Sequence, residues 1–267
     1  MRATLQSIIE RFRPKSDRAH SGDQNPLVPP ESIQNLVGGG DYLGIGNEFF
    51  KYFCDLGELK PDHRVLDVGC GVGRMAVPLT TYLTTGTYDG IDIMPEGIDW
   101  GMQRFTPRYP NFKFHLIDVY NKRYHPRGRL KAAEYRFPFP NDSFDFVFLT
   151  SVFTHMFPRD VSHYIGEIAR VLKPNQKSVA TFFLLNPESV NLCDAGRSTL
   201  AFRHQEDGFR TENPNVPEAA IALPEEWVRS TYEEHGLTIL GPIHFGYWCG
   251  RERALGYQDL IVATKAG

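Results

Sequence analysis

The sequence predicts an α/β fold built on a doubly wound, mostly parallel sheet. Three observations carry this expectation. A short, branched apolar run, Val65, Leu66 and Val68, breaks into three alternating glycines, Gly69, Gly71 and Gly73, before a helical segment. Strand-like and helix-like segments alternate from there to residue 185, the pattern of parallel strands joined by crossover helices. An acid, Asp92, closes the second strand-like run, about twenty residues past the glycines, where a nucleotide-binding sheet places one.

Composition narrows the classes of function. At 267 residues the chain fits one generous α/β domain with insertions, and a hydrophobic fraction of 41% with 23% charged residues is ordinary for a globular protein. A formal net charge of −3 argues against a surface wholly devoted to nucleic acid, and no nucleic-acid partner is expected. Cys54, Cys70, Cys193 and Cys249 lack Cys-x-x-Cys spacing, so no zinc site and no disulfide framework is expected, as suits a reducing cytoplasm. No apolar run is long enough for a transmembrane segment.

Residues 1–30 read as a separate arm, with Leu5, Ile8, Ile9 and Phe12 at helical spacing among Arg2, Arg11, Arg13 and Lys15. Two readings stand: an interfacial anchor making peripheral contact with an anionic membrane, or a helical arm packed on a neighbour or on the core. Residues 31–267 form the expected main domain. Its preface is glycine-rich from Asn35 to Gly46 and then carries Phe49, Phe50, Phe53 and Leu56 at helical spacing. Tyr42 is either a ligand contact or a surface aromatic beside a cap at Asp41.

After the glycine turn the pattern gives a helix over 74–83, a strand over 88–93, a helix over 95–105 and a third strand over 112–119 that contains Asp118. Residues 120–136 then bring Lys122, Arg123, His125, Arg127, Arg129, Lys131 and Arg136 together. This basic excursion is either a wall that attracts an anionic substrate or a solvated face. A fourth strand over 144–150 delivers Ser151 to Met156 to its carboxyl end, where open α/β sheets bind ligands. The helix 158–172 buries Val161, Tyr164, Ile165, Ile168 and Leu172, and a turn at Lys173 to Gln176 leads to a fifth strand over 178–185. Residues 186–223 are rich in turn formers and poor in periodic apolar residues, so a lid insertion is expected there. A helix over 224–235 and strands over 237–247 and 257–264 complete the chain.

The run Asp67-Val68-Gly69-Cys70-Gly71-Val72-Gly73 resembles motif I of the class I S-adenosylmethionine-dependent methyltransferases, an acid, one residue, then Gly-x-Gly-x-Gly. The Gly-x-Gly-x-x-Gly fingerprint of nicotinamide dehydrogenases fits less well, because Arg74 stands at its third glycine. Phe137 to Asp145 resembles the family's approach to strand four, and Lys173-Pro174-Asn175-Gln176 resembles its Lys-Pro-Gly-Gly turn with both glycines replaced. The likeness runs from about Leu59 to Leu185 and returns near the C-terminus. It implies a class I methyltransferase-like, doubly wound, seven-stranded, mostly parallel sheet with an antiparallel last strand. It also implies S-adenosyl-L-methionine as cofactor, bound by Asp67, Gly69, Cys70, Gly71 and Gly73 at the turn, Asp92 and Ile93 at the ribose, Asp118 and Val119 at the adenine, and Ser151 after strand four. On the acceptor side the candidates are Tyr42, Arg74, Phe153, Tyr247 and Trp248, with an internal salt bridge as the alternative for Arg74. The excursion 120–136 departs from the shorter connection usual in the family.

Transfer of a methyl group from a sulfonium is an in-line displacement, so the protein mainly aligns the reactants and excludes water. A hydroxyl acceptor must also lose a proton, and a neutral imidazole suits that task. His155 is the catalytic candidate, with capping of the next helix or packing beneath the cofactor as the alternative. His204 and His244 have nothing to fix them near the crevice, Asp145 lies at the wrong end of its strand, and no metal cluster is expected. The function expected is methylation of a hydroxyl on a small molecule, such as a sugar or a glycosylated metabolite or lipid, by a monomer or homodimer. N-methylation of a natural product and non-catalytic binding of the cofactor stand as alternatives.

Overall fold

β1 (Arg64–Val68) is the strand from which the sheet grows in both directions. In the computed structural model, which describes residues 25–267, it pairs in parallel with β2 (Thr87–Asp92) on one side and β4 (Phe144–Leu149) on the other. β3 (Phe112–Leu116) adds beyond β2 and β5 (Leu172–Phe182) beyond β4, both parallel. β11 (Asp259–Lys265) runs antiparallel between β5 and β10 (Leu237–His244), giving the order β10-β11-β5-β4-β1-β2-β3. This is the seven-stranded, mostly parallel sheet that the family resemblance implies.

Both faces of the sheet are covered, so its strands read as continuous apolar runs rather than alternating ones. On β4, Phe146 and Phe148 face a core shared with Val65 and Phe53, while Val147 and Leu149 face a second core with Leu66, Ile165 and Phe182. α1 (Glu31–Gln34), α2 (Tyr42–Asp55), α3 (Ala76–Tyr82) and α4 (Pro95–Arg104) belong to the first side, α5 (Pro158–Val171) and α7 (Glu225–Glu234) to the second. The packing of α2 rests on Phe53, whose ring lies 4.3 Å from that of Phe148 and 5.6 Å from that of Phe146.

Among the boundaries that differ from the sequence reading, three lie near the site or in its supporting strands. The first crossover helix begins at Ala76 rather than Arg74, because Gly73 still holds a positive φ of 82°. β3 ends at Leu116, where the chain turns toward the basic excursion. The expected turn at Lys173 to Gln176 is instead an irregularity inside β5: Asn175 takes a φ of 62°, and the pairing with β4 shifts register between Phe144 and Phe146.

The expected N-terminal arm and its membrane contact fall largely outside the described residues, and Leu5, Ile8, Ile9 and Phe12 lie wholly outside them. Residues 186–223, expected as a long lid, are folded. α6 (Pro187–Asp194) is capped by Asn186, and β7 (His204–Glu206), β8 (Phe209–Thr211) and β9 (Ile221–Pro224) join β6 (Leu184–Leu185) in a small sheet of order β6-β9-β8-β7. The sequence reading missed these strands because each is only two to four residues long, too short to display a period. Their apolar side gathers Phe183, Leu200, Phe202 and Ala222 around the fully buried Trp248.

A buried carboxylate helps join this insertion to the main sheet. Asp259, at the start of β11 and fully buried, accepts from Leu184 N and Trp248 Nε1 at 2.7 Å on one oxygen, and from Gly246 N at 2.7 Å and Arg251 Nη1 at 3.3 Å on the other. Burial pushes this carboxyl up to about 6, and the four donors pull against that rise. Arg251 passes the connection on to Glu188 at 2.8 Å and to Asn186 Oδ1 at 3.3 Å, at the head of α6. Replacing Asp259 by Asn puts an amide N–H2 against donors that one carboxylate oxygen served and leaves the buried Arg251 with Glu188 as its one carboxylate partner. Asp259→Asn is expected to cost about 3 kcal/mol of stability in denaturant unfolding; a loss within error would mean that this network does not hold the insertion.

Candidate functional site

The site is built on the turn that follows β1. Gly69, Gly71 and Gly73 all take positive φ, at 80°, 53° and 82°. Gly69 also lies directly under Val152, where a Cβ would come within 2.3 Å of Val152 Cγ2, so only glycine lets the ends of β1 and β4 approach. Gly69 N and Cys70 N both donate to Ile91 O, at 2.8 and 3.1 Å, tying the turn to the end of β2. Cys70 is buried behind the turn and Ile93 is half-buried just after β2.

Asp92 continues this tie. One carboxylate oxygen accepts from Gly71 N at 2.7 Å and the other from Met94 N at 2.8 Å, with the group 7% exposed. Burial raises its pKa and the backbone N–H groups oppose the rise. Each oxygen keeps a second lone pair, so the carboxylate that fixes the turn can also accept from a ligand diol. Beneath the turn, Asp67 accepts the Tyr88 hydroxyl at 2.7 Å on one oxygen, while its other oxygen is buried with no partner among the described residues. Burial pushes Asp67 up to about 8, so a cation brought near would return it to its ionised form. An orphaned acid under a glycine turn, with a second acid ending β2, fits an adenosyl sulfonium bearing an amino group.

Asp118, half-buried, is already engaged by the basic excursion. Its carboxylate is bonded to Arg129 through both the side chain and the backbone N–H, and to His125 Nε2 at 3.3 Å, and the Arg129 bond leads the forces that hold it below the ordinary range. The nearby Val119 is buried. Tyr42 is neither a surface aromatic nor a free ligand contact: it is 4% exposed, donates to Val72 O at 3.0 Å and supports the Arg74 guanidinium 5.4 Å from its ring centroid. Arg74 donates to Gly38 O at 2.6 Å, a carbonyl rather than the salt-bridge partner considered from sequence, and its Nε is buried without a partner among the described residues. These two residues brace the preface against the turn.

At the end of β4, Ser151 holds a φ of 62°, donates through its N–H to Thr181 Oγ1 at 2.8 Å and accepts from Gln258 Nε2 at 2.8 Å. A non-glycine residue in this conformation beside a ligand turn is strain of the kind that surrounds binding sites. His155 closes the short helical turn Phe153–His155, with Nδ1 2.8 Å from Glu218 O. Because a carbonyl only accepts, the proton sits on Nδ1 and Nε2 carries the lone pair. The surrounding protein lowers the imidazole to about 4, with desolvation leading and the charge of Arg123 adding to it, so it is neutral at working pH.

The structure does not bring the remaining acceptor-side candidates together. Phe153 is 1% exposed with its ring 5.0 Å from Phe182, and Trp248 is fully buried on Asp259, so both are corrected to core residues. Their apolar surface drew them inward. Tyr247 is 49% exposed on the loop that also carries Gln258. Tyr124, Glu218 and Gln258 were not singled out from sequence, since each meets the site through a contact spanning many residues or through an inserted segment.

The sheet order, with the glycine turn under the end of β4 and the acid closing β2, is that of the class I methyltransferase fold. Residues 66–180 of the chain match the family described as "Methyltransferase domain". It is 32% identical over 111 residues to a phthiotriol/phenolphthiotriol dimycocerosates methyltransferase of Mycobacterium leprae, covering 42% of this chain and 34% of that one. It is 32% identical over 112 residues to a fatty-acid O-methyltransferase of Mycolicibacterium smegmatis, again covering 42% and 34%. The matches thus span about a third of the length of these curated relatives. A solved structure from Pyrococcus horikoshii OT3 superposes with a TM-score of 0.60 over 91% of this chain and 100% of that chain at 16% identity, a likeness of fold.

Asp92→Ala removes the acceptor that fixes Gly71 N and Met94 N. Its affinity for S-adenosylhomocysteine is expected to fall about tenfold to a hundredfold, the scale of one or two charge-assisted hydrogen bonds, as read by calorimetry. An unchanged affinity would remove Asp92 from the cofactor site.

Proposed function

We propose that this chain methylates a hydroxyl group of a small molecule, with S-adenosylmethionine as methyl donor. The observation that carries this reading is the orientation of His155. Its Nδ1–H is given to the Glu218 carbonyl, which leaves Nε2 as a fixed acceptor just past β4, beside the loop whose Val152 covers Gly69. The fatty-acid O-methyltransferase among the relatives supports an oxygen acceptor.

When bound, the cofactor supplies an electrophilic methyl group on a sulfonium. The residues of the chain do the rest. The glycine turn and Asp92 fix the donor's place, and Ser151 and His155, past the end of β4, align the acceptor. His155 Nε2 takes the acceptor proton as the new C–O bond forms. A hydroxyl that is being alkylated becomes strongly acidic, so a base held at about 4 is adequate for this step.

His155→Ala is expected to lower kcat about a hundredfold or more, with affinity for S-adenosylhomocysteine unchanged. The pH dependence has a definite sign: the active form is the neutral imidazole, so kcat/KM falls on the acid side as pH drops through about 4, and shows no limb at the ordinary histidine value. An acid limb near 6.5 that vanishes in His155→Ala would contradict the environment described for the ring. Binding of S-adenosylhomocysteine without transfer of labelled methyl to any extract fraction would reduce the chain to a cofactor-binding protein.

A further inference from the structure

The basic excursion is a built element of the site. It folds back on the end of β3 through Tyr120 N to Leu130 O at 2.8 Å and Leu130 N to Asp118 O at 3.0 Å. Gly128 permits this return, since a Cβ there would lie 2.4 Å from Tyr120 N and 2.5 Å from the Val119 carbonyl carbon. Asn121 Oδ1 accepts from both Arg123 N and Tyr124 N at 3.0 Å, so one side chain sets the tip.

That tip lies against the proposed base. The Tyr124 ring stands edge-on to His155, centroids 5.6 Å apart at 77°, and the Arg123 guanidinium lies 5.2 Å from the Tyr124 ring centroid. The charge of Asp92 also reaches Tyr124. Lys122 Nζ donates to Asn215 O at 3.1 Å, closing the excursion onto the same insertion whose Glu218 carbonyl orients the imidazole. The ion pairs of the excursion are His125 and Arg129 with Asp118, and Lys131 with Glu134. Among the described residues, Arg123 has no carboxylate partner.

A lone cation beside a base makes that base harder to protonate. Arg123 therefore works against His155 unless an anion covers it. We propose that Arg123, stacked on Tyr124, is the anion-recognising residue of the acceptor site, and that the acceptor carries a carboxylate or a phosphate close to the hydroxyl it presents to His155. This rests on the transfer reading above. The planar guanidinium is suited to a two-pronged grip on either group. Binding of the anion cancels the charge that opposes proton uptake, so the base is strengthened when the correct acceptor is in place.

The test uses the full chain, labelled S-adenosylmethionine and a small-molecule cell extract split by anion exchange into acidic and neutral pools. Label is expected in products that remain bound to the exchanger, and phosphatase treatment of the acidic pool beforehand separates phosphate acceptors from carboxylate acceptors. With that pool, Arg123→Gln is expected to raise KM about tenfold or more, to leave kcat recoverable at high acceptor and to leave S-adenosylhomocysteine affinity unchanged. Arg127→Gln, on the same excursion, is expected to alter none of these. Label confined to neutral products, or an unchanged KM in Arg123→Gln, would overturn the anion site while leaving methyl transfer standing. No label in either pool, with S-adenosylhomocysteine bound, would overturn the transfer reading beneath it.

Discussion

The structure depends on one carboxylate holding two strand ends together. Asp92 closes β2 and takes the N–H of Gly71 from the turn after β1, while Ile91 O takes Gly69 N and Cys70 N from the same turn. Three backbone donors that would otherwise point into an apolar interior are thereby satisfied, and the turn is held open in a left-handed conformation before any ligand arrives. Val152 seals the turn from above and the orphaned oxygen of Asp67 lies beneath it. The cradle is preorganised because the fold has already met the cost of shaping it.

The sequence made this part legible for a physical reason. A parallel strand buried on both faces must be an apolar run, a strand-to-helix turn with positive φ must be glycine, and an acid ending a buried strand needs a partner; each is a local requirement that leaves a local trace. What stayed illegible is what only the third dimension brings together. Glu218 reaches His155 across 63 residues and Gln258 reaches Ser151 across 107, and nothing in the spacing of either pair foretells it. The small sheet was hidden by the brevity of its strands, and Trp248 was misread because an aromatic side chain near a ligand loop looks the same in sequence whether it faces the ligand or the core.

The same division separates cofactor from acceptor. The cradle is made by segments common to the fold, whereas the wall around His155 is made by the excursion, the insertion and the loop before β11. Function in such folds resides in what is grafted onto the strand ends, so a likeness of fold at 16% identity speaks to the cradle and is silent on the wall.

Asp118 is where the two parts meet. The family resemblance assigns this position to the adenine edge, yet its carboxylate is bonded to Arg129 and His125, two residues of the excursion. With those bonds made, the acid holds the excursion to the end of β3. Through the backbone bonds of Leu130 to Asp118 and Tyr120, the excursion that carries Asn121, Arg123 and Tyr124 is tied to the end of β3. On the proposed reading, donor and acceptor are then aligned by one rigid element, which is what an in-line displacement requires of a protein that contributes little chemistry of its own.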